Sequence, residues 1–129
     1  MKVTVKHINS GLNEGEIKHM DNFIKFLQKE LPLKEDIIIE FLGQRKGGMS
    51  TGSRSDNRLI KVLSSGRMNR DICRTLAHEW VHEYQLTNLR RKHGPDIGGK
   101  NENEANSVAG ILIKKFEKSN PESEGMMYE

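Results

Sequence analysis

The chain reads as an α+β domain, a short mixed sheet of three to four strands packed on three helices. Three observations predict this. Residues 2–8, 37–42 and 59–63 carry alternating or β-branched apolar runs of strand length. Three longer stretches repeat apolar residues every three to four positions, the period of an amphipathic helix. The chain has 129 residues and 34% hydrophobic content, which supports one modest core and therefore one domain.

Taken in order, Val3 and Val5 alternate with Lys2, Thr4 and Lys6, a strand with one buried face that ends near His7. Residues 10–15 form a turn. From Glu16 to Leu31 the positions Ile17, Met20, Phe23, Ile24, Leu27 and Leu31 share a helix face, and Pro32 ends the helix. His19 is expected on its exposed side. The run Ile37–Leu42 reads as a central strand. The Gly-rich loop after it lacks the Gly-Lys-Ser/Thr of a phosphate loop and reads as a turn. Met49–Ser53 and Leu59–Leu63 follow as two strands around a turn at Arg54–Arg58. Asn69 is the expected cap of the next helix, with Asp71 in its first turn. Gly94–Gly99 marks a loop, and a third helix is expected from Asn101 to about Lys118. The folded domain is thus assigned to residues 1–118, and residues 119–129, with Pro121, Gly125 and three acids, to a mobile tail.

Bulk properties narrow the function classes. No run of 18 apolar residues occurs, and the first ten residues lack the apolar core of a secretory signal. The single cysteine, Cys73, falls on the apolar arc of a helix and reads as a small core residue. Together these suit a cytoplasmic protein in a reducing compartment. Net charge is +3, below what a nucleic-acid footprint demands, and few aromatics are present to stack bases. The short basic run Arg90–His93 reads as a solvated helix end.

The chemistry concentrates at His78-Glu79-Trp80-Val81-His82, an HExxH pattern. Residues four apart share a helix face, so His78 and His82 can present two imidazoles to one ion, with Glu79 beside them to act on water. With this composition the pattern arises by chance in roughly one such chain in fifty, so context decides. On a helical projection Ile72, Cys73, Leu76, Ala77, Trp80, Val81 and Tyr84 form one arc. His78, Glu79, His82, Asp71, Thr75 and Gln85 form the other. The competing reading is a solvated face with two surface histidines, but both histidines and the glutamate lie together on the polar side of a core-packed helix.

A catalytic zinc site needs a third protein ligand. His93, Asp96, Glu102 and Glu104 are the candidates after His82. In projection Glu102 and Asn106 are the polar members of a stripe that includes Ala105, Ala109, Leu112, Ile113 and Phe116. Glu104 lies on the far side with Lys114, Lys115 and Lys118, where it is expected to be solvated. A carboxylate on a core-facing stripe calls for a strong partner, which a metal ion provides. Asn106 can hold the other ring nitrogen of a ligand histidine.

HExxH at His78–His82 followed by Glu-x-x-Ala-Asn at Glu102–Asn106 resembles the gluzincin metallopeptidases, and the small size resembles the minigluzincins and ImmA/IrrE-type peptidases. The resemblance implies a small zincin-like fold with one Zn2+ ion held by His78, His82 and Glu102. It implies Glu79 as general base in the hydrolysis of a peptide or protein substrate. The metzincin pattern is excluded because Asn88 stands where its third histidine would be. Asn106 stands where many gluzincins carry aspartate, which puts less negative charge behind the ligand histidine. His93, in the loop between the helices, is the candidate for an oxyanion or substrate contact. By the same resemblance an extended substrate is expected to pair with the strand near Leu59–Leu63. Rival expectations are a non-catalytic, zinc-stabilised binding module and a DNA-associated, SprT-like peptidase. A last one is that Glu122, Glu124 or Glu129 of the tail blocks the cleft.

Overall fold

The computed structural model describes residues 1–44, 49–91, 99–121 and 124–128. Among the described residues the fold is α+β, with four helices and one four-stranded mixed sheet. The elements are β1 (Val3–Ile8), α1 (Glu14–Glu30), β2 (Ile37–Leu42), β3 (Gly52–Ser55) and β4 (Leu59–Leu63). These are followed by α2 (Asn69–Glu83), a π-helical turn (Tyr84–Asn88), α3 (Lys100–Ser119) and a short α4 (Glu124–Met127). No helix among the described residues is long and apolar enough to cross a membrane.

The sheet order is β1-β2-β4-β3. β1 and β4 both run parallel to β2, and β3 is antiparallel to β4. Ile37, Ile39, Phe41, Ile60 and Val62 are buried at alternate positions of β2 and β4, as period-two patterning requires. Helix α1 begins two residues before the expected Glu16 because Asn13 and Glu16 form a reciprocal cap. The Asn13 side chain accepts from the Glu16 N–H at 2.8 Å, and the Asn13 N–H donates to Glu16 Oε1 at 3.1 Å. At the far end of α1 the Leu31 carbonyl accepts the indole N–H of Trp80 at 2.8 Å. That bond satisfies the buried indole and a helix-end carbonyl together.

Helix α2 is the centre of the molecule. Ile72, Cys73, Leu76, Ala77 and Trp80 are fully buried among residues of α1, α3 and the sheet. Asn69 is not its cap. Met68 occupies that position with no side-chain cap bond, and Asn69 instead turns inward and donates from Nδ2 to the Met126 carbonyl at 2.7 Å. The chain end therefore contributes to the core: Met127 of α4 is fully buried. That docking also corrects the expectation for His19, which lies 3% exposed beneath α4 rather than in solvent. Met126 and Met127 meet α1 and the start of α2, on the opposite side of α2 from its histidines. Glu122 and Glu129 lie outside the described residues.

The hairpin at the sheet edge also differs from expectation. The strand anticipated at Met49–Ser53 is β3 at Gly52–Ser55, paired from Gly52↔Val62 to Ser55↔Leu59. Arg58 takes a left-handed backbone conformation, φ 59°, to close the turn. β4 is interior, paired on both sides by β2 and β3. Its main-chain groups are committed to the sheet, so Leu59–Leu63 is not an accepting edge. That edge is β3, whose outer side pairs with no strand among the described residues.

Candidate metal centre

Helix α2 brings His78 and His82 one turn apart on its open face, and the first turn of α3 brings Glu102 to them. Their Nε2 atoms are 3.1 Å apart. Glu102 Oε1 is 2.8 Å from His78 Nε2, and Glu102 Oε2 is 2.9 Å from His82 Nε2. The donor atoms of the three residues all lie within 4.8 Å of one another. Bonds of 2.0–2.1 Å in a tetrahedral shell put ligand atoms roughly 3.3 Å apart. Two imidazole nitrogens and a carboxylate this close together form a donor set that could hold a metal ion. Among the described candidates, Glu102, singled out by the helical projection, is the one that converges with the histidines.

Each imidazole has a further side-chain partner. The Asn106 side chain hydrogen-bonds to His78. His82 Nδ1 lies 2.9 Å from Gln85 Oε1. Gln85 is fully buried, and its Nε2 donates to the Asn101 carbonyl and to Glu104 Oε1, both at 3.0 Å. Arg91 Nη1 closes the chain of contacts, 2.7 Å from Glu104 Oε1 and 3.2 Å from Asn101 Oδ1. Glu104 is thus tied to its neighbours while its side chain stays in reach of solvent, as its place on the far side of the projection implied. Hydrogen bonds from Gln85 and Arg91 hold its carboxyl below the usual range. The π-helical turn that carries Gln85 adds a residue to the helical ladder, a departure often found where a helix serves a site. Gln85 was visible in the sequence only as a polar residue one turn after His82. The partners of its Nε2, Asn101 and Glu104, lie on α3, 16 and 19 residues along the chain.

Glu79 faces the same cleft, a cavity of about 360 Å³ lined also by Thr51, Gly52, Arg74 and Thr75. Burial pushes its carboxyl up to about 7, with His82 and Arg54 opposing and Glu102 reinforcing the shift. His78 is lowered by burial and by the neighbouring His82, against the pull of Glu102 and Asn106. Gly52 decides how close the edge strand comes. A Cβ there would sit 2.5 Å from Thr75 Cγ2 and 3.3 Å from Glu79 Cγ, so only glycine lets β3 lie against the cleft-lining face of α2. Two residues along, Arg54 Nε pairs with the fully buried Glu83 Oε1 at 3.0 Å, and Thr87 donates to the other oxygen of Glu83. That pair fastens the edge strand to the helix, and no local sequence pattern announces it. His93 and Asp96 lie outside the described residues. No protein-family model matches the chain, nor does any curated protein or any solved structure.

Proposed function

We propose that the protein is a zinc-dependent endopeptidase of zincin-like, gluzincin type. The observation that carries this reading is the convergence of His78, His82 and Glu102 on one point, with Glu79 beside it in an open cleft. A zinc ion held by these three side chains would supply Lewis acidity, polarising a peptide carbonyl and acidifying water at neutral pH. Glu79 takes the proton from the attacking water and delivers it to the leaving amine, and the burial that raises its carboxyl makes it a better base toward that water. Asn106 and Gln85 fix the ring orientations of His78 and His82, keeping Nε2 of each turned to the cleft. An extended peptide adds to β3, the edge strand that Gly52 brings to the cleft, in place of the interior β4.

The test combines metal analysis with peptide cleavage. The purified chain is expected to carry one zinc per molecule and to lose it in Glu102→Ala. Glu79→Gln is expected to keep the zinc and lose about 10²–10⁴-fold in cleavage rate, the usual contribution of a general base. Full activity in Glu79→Gln, or zinc retained at full affinity in Glu102→Ala, refutes the reading.

A further inference from the structure

On the face of α2 opposite the cleft lies a second group of ligand-type side chains. His19 Nε2 is 3.3 Å from Met127 Sδ and 4.0 Å from Cys73 Sγ. Cys73 Sγ is in turn 3.8 Å from Met20 Sδ. Three elements supply the four donors: α1 gives His19 and Met20, α2 gives Cys73, and α4 gives Met127. Met20, Cys73 and Met127 are fully buried and His19 is 3% exposed. One nitrogen of His19 faces two sulfurs, while the ring meets Phe116 of α3 edge-on at 5.7 Å.

The spacing and the donor type point the same way. With metal–nitrogen bonds of about 2.0 Å and metal–sulfur bonds of about 2.3 Å, a tetrahedral shell has N–S edges of roughly 3.5 Å and S–S edges of roughly 3.8 Å. Three of the six edges of such a shell are observed, N–S separations of 3.3 and 4.0 Å and an S–S separation of 3.8 Å, and these lie close to those values. One thiol, two thioethers and one imidazole are a soft set, matched to soft ions rather than to magnesium, calcium or manganese. Charge selects further. A single thiolate neutralises a monovalent ion and leaves a divalent one with net charge in an apolar interior, where charge is strongly disfavoured.

We propose that His19, Met20, Cys73 and Met127 form a buried site for a monovalent soft metal ion, Cu(I), separate from the cleft centre. Binding replaces the thiol proton of Cys73: the S–H bond breaks, a sulfur–metal bond forms, and one proton leaves to solvent with no change of oxidation state. The ion joins α1 and α2 to α4 and so fixes the chain end on the core. Entry follows undocking of α4, a four-residue helix held at Met126 by Asn69.

The experiment titrates the full chain with Cu(I), under reducing anaerobic conditions and against a chromophoric Cu(I) chelator. Wild type and a His78→Ala/His82→Ala variant are compared. Both are expected to take up one Cu(I) with release of one proton, and X-ray absorption should show a sulfur-rich shell near about 2.3 Å. Losing even an outer partner of a metal site costs about 10–100-fold in affinity, so Met127→Leu should cost at least that, with unchanged circular dichroism. Cys73→Ala should abolish uptake. The proposal fails if no Cu(I) is held against the chelator, if uptake disappears in the His78→Ala/His82→Ala variant, or if it persists in Cys73→Ala. Should Cys73→Ala not fold, an unchanged affinity and sulfur shell in Met127→Leu overturns the proposal equally well.

Discussion

Helix α2 presents two faces that differ in almost every physical respect. The outer face holds nitrogen and oxygen donors in an open cleft. Its histidines are oriented by hydrogen bonds that run through Gln85 and Glu104 to Arg91. The inner face holds nitrogen and sulfur donors with no access to solvent, positioned by packing against Phe116 and the docked chain end. Directional bonds set the first arrangement, and close packing sets the second. An open site needs directed bonds because water would otherwise compete for each side chain and free its rotamers. A buried one is held by the density of its surroundings.

Three substitutions probe this contrast. The largest effect is expected from Arg54→Met, which leaves Glu83 charged and buried behind the cleft. Removing one partner of such a pair costs about 3 kcal/mol in unfolding free energy, read from denaturant midpoints. A loss near zero would show that the edge strand is fixed by other contacts. Next comes Gln85→Leu, similar in volume and fully buried. It is expected to weaken zinc binding about 10–100-fold while leaving Cu(I) affinity unchanged. Equal losses at both sites would mean that the two faces are mechanically coupled through α2. The smallest effect is expected from Asn69→Ala, which removes the bond to the Met126 carbonyl for about 1 kcal/mol of stability. Zinc affinity in the cleft should not change in that variant, since α4 docks on the other side of the helix.

Much of the outer face was legible in the chain itself, because its logic is local. The four-residue spacing of His78 and His82 forces a shared face on any helix. The projection that separated Glu102 from Glu104 uses the same period, and the three ligand atoms do converge. The inner face was not legible. His19 projects away from the main apolar stripe of α1, and Met127 returns more than a hundred residues later to pack against it. The Asn69 side chain went to the neighbouring Met126 carbonyl instead of capping its helix. Gln85 and Arg54 gained their roles through contacts across loops and strands that no periodicity encodes.

By itself, then, the sequence determined the order of the four strands and the three long helices, and which side chains of α2 and α3 point the same way. Each of these follows from backbone periods of two or 3.6 residues. Tertiary structure decided the rest: β4 is interior and β3 is the edge, and only Gly52 lets that edge reach α2. It also decided that the end of the chain closes over His19. Those outcomes depend on which surfaces meet in space, and meeting is governed by packing and hydrogen-bond satisfaction across the whole molecule rather than by neighbours along the chain.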